Sequence, residues 1–214
     1  MKAKERRDIQ LRRSGVTRPQ RRRILIACEG DKVEPGYLNG LRQALGLDTA
    51  RVVILASGHD TDPRNVVRAA LDRHKREGKS FDLIYCVVDR DEHPGLEEAR
   101  QTVAAHKMGQ AGVFKLIVSV PCFEAWLLLH LTEYSTAAHQ SSAAAKAKME
   151  KLKPGYGQMG TGLYHAVKEG QDQAIQYALR LVQDHQANGS DWNPSTDMHD
   201  LLRVLKELAA ESHW

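Results

Sequence analysis

Asp89 and Asp91 stand two residues apart where the apolar run Leu83-Ile84-Tyr85-Cys86-Val87-Val88 gives way to Asp-Arg-Asp-Glu-His. A short run rich in β-branched and aromatic residues predicts a strand buried on both faces. Side chains alternate along a strand, so the two aspartates leave its end pointing the same way. Carboxylates that close repel each other unless a cation lies between them. Mg2+ takes oxygen ligands and is commonly held by one or two carboxylates, with water or substrate phosphate filling the rest of its shell. The spacing therefore marks a candidate metal site. Aspartates at strand ends also cap helices and form turns, and an isolated Asp-x-Asp does not separate the two readings.

The elements around this junction decide whether other groups can join it. Residues 24–28 form a second apolar run, ending in Glu29-Gly30-Asp31-Lys32. A helix is expected over 34–45, with Pro35 in its first turn, where a missing N–H costs little. Residues 51–56 read as a strand, 65–77 as a helix, 83–88 as the central strand and 96–108 as a helix. A strand at 115–120 and a helix opened by Pro121 follow. Alternating strands and helices at this spacing predict an α/β domain with a largely parallel sheet. Ligands of such sheets gather beyond the carboxyl ends of the strands. Glu29, Asp89, Asp91 and Glu124 all follow strand ends and can converge on one crevice. A third acid beside a metal-bound pair can position water or move a proton.

From 141 onward the pattern is helical, with helices expected over 141–153 and 172–186 and a last one capped by Ser195 or Thr196. The expected organisation is a basic mobile tail over 1–23, an α/β core over 24–140 and a helical attachment over 141–214. The composition, 42% hydrophobic and 27% charged, is that of an ordinary soluble chain. No run approaches the ~20 apolar residues of a membrane span. The basic start has no apolar segment after it, so no secretory signal is expected. Cys28, Cys86 and Cys122 lack Cys-x-x-Cys spacing and read as buried thiols, which favours a reducing cytoplasm over zinc or disulfides.

The net charge of +4 hides an asymmetry: residues 1–23 carry ten Lys/Arg against two acids, and the rest carries 21 against 25. A segment of charge +8 is either a solvated tail or one that tracks phosphates by counterion release, and the two are compatible. Arg21, Arg22 and Arg23 at its end, with Lys32 and Gly30 at the Glu-Gly turn, are the candidate substrate-binding residues. Arg90 points away from its flanking aspartates and reads as an ion-pair partner. His59 and His93 are loop residues beside the crevice, and His130 reads as a structural histidine.

A strand ending in Glu-Gly and a later one ending in Asp-x-Asp resemble the Toprim fold of topoisomerases, primases and several nucleases. A narrower resemblance covers more of the chain. Ile24-Leu25-Ile26-Ala27-Cys28-Glu29-Gly30-Asp31-Lys32-Val33-Glu34-Pro35 is similar to the opening motif of the RloB family, Toprim-like proteins of bacterial defence loci. Val88-Asp89-Arg90-Asp91-Glu92-His93 resembles its metal motif, and Pro121-Cys122-Phe123-Glu124-Ala125-Trp126 its third block. Asn193-Pro194-Ser195-Thr196-Asp197-Met198-His199 resembles its last. Val120 and Val33 depart from the asparagine and threonine common there, without removing a ligand.

The resemblance implies Glu29 as general acid or base and as a metal ligand, Asp89 and Asp91 as catalytic ligands of Mg2+ (or Mn2+), and Glu124 as a further ligand. It implies a metal-dependent nuclease acting on RNA, tRNA included, or DNA in anti-phage defence, with an ATPase as a possible partner. Two other classes fit parts of the pattern. A non-catalytic sensor or adaptor would bind metal or nucleotide and dock on a partner ATPase, since the chain itself has no phosphate-binding Gly-x-x-x-x-Gly-Lys-Ser/Thr loop. Phosphoryl transfer through an aspartyl intermediate would use Asp89 as nucleophile and leave Glu29 unexplained.

Overall fold

Two of the apolar runs form central strands, β1 (Ile24–Cys28) and β3 (Leu83–Asp89), and every residue of both is buried. Burial on both faces is what their unbroken hydrophobicity requires. The computed structural model describes residues 22–58, 62–90, 95–109, 112–139, 141–189 and 192–211. β2 (Val52–Ala56) lies beside β1, and β4 (Val113–Val120) beside β3, all parallel. A two-residue strand, β5 (Ser195–Thr196), pairs antiparallel with the end of β4, giving the order β2-β1-β3-β4-β5. This is an α/β fold consistent with the Toprim-like arrangement.

The helices divide by sheet face. α2 (Pro63–Arg76) and α3 (Gly95–Ala105) cover the face made by Leu25, Ala27, Ile84, Cys86 and Val88. α2 starts earlier than its apolar period suggests, because the Asp62 side chain accepts from the Arg64 N–H and Pro63 occupies the first turn. The other face, with Ile24, Ile26, Tyr85 and Val87, is covered by α1 (Val33–Ala44), α4 (Glu124–Leu129) and later helices. These are α5 (Ser142–Leu152), α6 (Gly162–Val167), α7 (Gln171–Asn188) and α8 (Met198–Ala210). The region expected as a helical attachment thus shares one apolar cluster with the sheet and lends it a strand.

That strand corrects one expectation. Ser195 and Thr196 do not occupy the cap position of α8; Asp197 does. The sheet edge claims them: Ser119 and Thr196 share a hydroxyl hydrogen bond of 2.9 Å. The Asp197 N–H donates to the Val118 carbonyl at 3.0 Å, and the Asp197 carboxylate accepts from the Val118 N–H at 3.1 Å. Thr196 still helps the helix start, since its hydroxyl accepts from the Met198 N–H at 3.2 Å.

α1 meets the chain before α6 almost backbone to backbone. A Cβ on Gly36 would stand 2.7 Å from the Gly160 carbonyl oxygen, and one on Gly40 only 2.4 Å from that of Thr161. Both glycines lie on one helix face, so the segment carrying Tyr156 can seat closely on α1. Gly40→Ala should therefore cost about 1–3 kcal/mol of stability by forcing this contact apart. Urea unfolding at pH 7 measures it; an unchanged midpoint would show that the contact is slack.

Tyr37, Phe123, Trp126, Tyr164 and His130 form an aromatic cluster of edge-on contacts around Tyr37. His130 Nδ1 lies 3.0 Å from the Trp126 carbonyl oxygen, which fixes the tautomer with its proton on Nδ1. Burial pushes its pKa down to about 4. The unfolded chain then binds a proton that the folded one refuses, so stability falls as pH drops from about 6.5 toward the folded value. From pH 7 to pH 5 this residue should remove about 2 kcal/mol. A His130→Gln variant, whatever its own stability, should lose that part of the pH dependence in unfolding titrations; parallel curves for the two proteins would refute the assignment.

Candidate active site

Glu29 is the first residue beyond β1, and its N–H continues the parallel ladder by donating to the Val87 carbonyl at 3.1 Å. Its carboxylate turns toward β3, where Oε2 accepts the Asp89 N–H at 2.9 Å. The Ser57 hydroxyl donates to the Glu29 carbonyl at 2.9 Å, tying in the end of β2. Asp89 closes β3 and is almost wholly buried. Glu124 opens α4, where an acid is also favoured by the helix dipole. The Tyr156 hydroxyl donates to Glu124 Oε1 at 2.7 Å.

A further buried acid joins them. Glu34, in the first turn of α1, turns its carboxylate back toward Gly30, and the backbone there partly offsets the effect of its burial. A Cβ at position 30 would lie 2.2 Å from Glu34 Oε2, so any side chain there would push the Glu34 carboxylate out of its present position. Glu29, Glu34, Asp89 and Glu124 line one open cavity of about 310 Å3, with Lys32, Lys146 and Tyr156 also on its wall. Burial pushes the Asp89 carboxyl well above the usual carboxylate range; repulsion from Glu29, Glu34 and Glu124 adds to this and Lys146 opposes it. Glu34 is raised chiefly by burial, and Glu124 adds to the rise. Burial also raises the Cys122 thiol, which lies against Glu124 and stays protonated.

The structure thus brings Glu29, Gly30, Lys32, Asp89 and Glu124 together. Asp91 and Arg21 lie outside the described residues, as do His59 and His93. Arg22 and Arg23 are not at this cavity. They precede β1, and the strand puts them about 20–23 Å from Glu29. Arg23 is a fixed structural residue: its N–H donates to Asp82 at 2.7 Å, its guanidinium to Ala50 and Glu77, and it stacks 4.6 Å above the Phe81 ring. The Arg90 N–H donates to the Ser119 carbonyl at 2.8 Å. His130 sits in the core, as its sequence setting suggests.

Glu34 and Tyr156 were not marked by the sequence as site residues. Glu34 has a local signal, a glycine four residues before an acid in a first helical turn. Tyr156 has none, being 32 residues from Glu124 in the chain.

An all-oxygen set of crowded, buried acids suits a hard divalent cation, whose charge would offset what burial and repulsion now oppose. Among the described residues, no group of three or more His, Cys, Asp and Glu is gathered closely enough to hold a metal by itself. An ion held by Glu29, Asp89 and Glu124 would have to keep several water or substrate oxygens, as Mg2+ does.

Neither a curated protein nor a solved structure matches the chain. The family model for RloB-like proteins matches residues 24–205, a span that includes both central strands, the acidic cavity and most of α8. The chain belongs to the RloB-like protein family.

Proposed function

We propose that the chain is a divalent-cation-dependent phosphodiesterase that hydrolyses nucleic acid, in a bacterial defence setting of the kind the family resemblance implies. The observation that carries this reading is the convergence of Glu29, Glu34, Asp89 and Glu124 on one cavity at the carboxyl ends of parallel strands. Asp89 and Glu124, with Asp91, would hold Mg2+ or Mn2+. When bound, the ion supplies charge stabilisation to the phosphate oxygens as the bond to the leaving group breaks.

The protein groups have separable tasks. Glu29, oriented by the Asp89 N–H, accepts the proton of the attacking water. Lys32 and Lys146 on the cavity wall meet non-bridging phosphate oxygens. Tyr156 holds Glu124 by one oxygen and fixes which way its carboxylate faces. Burial of the cavity floor excludes bulk water and strengthens each of these interactions.

The test is incubation of tRNA and of DNA with Mg2+ or Mn2+, comparing the full chain with Glu29→Gln and Asp89→Asn. Each variant should lose at least about 10²-fold in cleavage rate. Equal cleavage by all three proteins would end the proposal. Binding of metal with no cleavage, even with a partner ATPase supplied, would favour the sensor or adaptor reading.

Asp89 also predicts a stability effect. Its folded pKa stands above the unfolded one, so its contribution is complete at low pH and is lost as pH rises through the folded value. In EDTA at pH 8, Asp89→Asn should melt above the wild type, and its melting temperature should rise less on adding Mg2+. A lower melting temperature in EDTA would show that Asp89 stabilises the empty fold.

A further inference from the structure

A second cavity, of about 270 Å3, lies at the opposite end of the sheet, between the amino ends of β3 and β4 and helix α8. Arg22, Lys115 and Arg203 face it with a single carboxylate, Asp200. Tyr85 reaches it from β3 and is only 4% exposed. Among the described residues its hydroxyl has no hydrogen-bond partner. Burial raises the Tyr85 phenol, so the group keeps its proton and can donate; the charged side chains acting on it are Arg203, Asp200, Arg22 and Glu207.

That hydroxyl opens onto the cavity, where a ligand oxygen can accept from it. The cations around it have acidic partners, two of which are shared, and Arg203 also meets Glu207 at 3.2 Å. Asp200 is shared by Lys115, Arg203 and His199, and Glu211 by Arg22 and Arg51. The pairs made by Arg22, Lys115 and Arg203 are half-exposed and exchange partners at little cost. A compact anion with several acceptor oxygens would meet the guanidinium forks, the ammonium and the phenol together. The cavity has room for one such group and not for a large organic ligand.

The chain adds a directional argument. Residues 1–21 hold eight Lys/Arg against two acids and join the described structure at Arg22, on this cavity's wall. The excess positive charge of the chain therefore joins the described fold at this cavity's wall. Tyr85 precedes Asp89 on the same strand and the same face, about 13 Å away.

We propose that this cavity is a phosphate site, in which Arg22, Lys115, Arg203 and the Tyr85 hydroxyl hold one phosphate group of a nucleic-acid strand. It is separate from the acidic cavity and holds whether or not that cavity cleaves.

The experiment uses the full chain in EDTA, so that metal-dependent cleavage does not enter the readout. Binding of a labelled single-stranded RNA is followed by anisotropy, and inorganic pyrophosphate by calorimetry. Tyr85→Phe keeps the buried ring and removes only the hydroxyl; Arg203→Ala removes an exposed cation. Each should weaken RNA binding by roughly tenfold, and Arg203→Ala should reduce the salt slope by about one. Pyrophosphate binding with the same losses in both variants supports a site that also accepts free phosphate. RNA losses without pyrophosphate binding support a site for strand phosphate alone. Unchanged RNA and pyrophosphate affinity in both variants, with melting temperatures at the wild-type value, overturns the proposal.

Discussion

The Asp89 N–H donates to the Glu29 carboxylate across the ends of β1 and β3 at 2.9 Å, and the geometry of the acidic cavity depends on that bond. A backbone N–H at the end of a parallel ladder needs an acceptor once it is buried. Here the acceptor is a charged side chain from the neighbouring strand. Glu34 is the next acid along, and its carboxylate is turned back against Gly30. Capping a turn and presenting a carboxylate are thus not rival roles in this chain. The bonds that satisfy the backbone also set the direction in which the acids face.

The arrangement has a thermodynamic cost, visible in the raised carboxyls of Asp89 and Glu34. Both are disfavoured as anions by burial first and by neighbouring acids second. The residues that lead into these acids along the chain, Cys28, Val87, Cys122 and Phe123, are themselves buried. Any ligand that binds only the folded chain and neutralises the acids will stabilise it by mass action. Site occupancy and fold stability are therefore linked through the same carboxylates.

Long, uninterrupted features were legible in the sequence. β1 and β3 read out to within a residue, because burial on both faces leaves a pattern no other element mimics at that length. The convergence of Glu29, Asp89 and Glu124 followed from parallel topology alone. What escaped depended on tertiary contact. Tyr156 reaches Glu124 only because Gly36 and Gly40 let the 160–161 backbone settle against α1. Ser195 and Thr196 have the composition of a helix start, yet the open edge of β4 takes them as a strand. Arg23 looked like the end of a basic tail, while its side chain belongs to the loops below β1.

The charge asymmetry of the chain takes on meaning once the two ends of the sheet are compared. At the carboxyl end, Glu29, Glu34, Asp89 and Glu124 face Lys32 and Lys146. A phosphate strand approaching that end without a cation meets net repulsion, so the acidic cavity is poorly suited to capture a polyanion unaided. Attraction must come from elsewhere on the molecule, and long-range attraction is what an excess of positive charge supplies. That excess lies in residues 1–23, and the described part of it, Arg22 and Arg23, stands at the amino end of the sheet. On the proposed reading, separating capture from chemistry would let each end keep the charge its task requires: positive where a strand would first be held, negative where a metal would be bound.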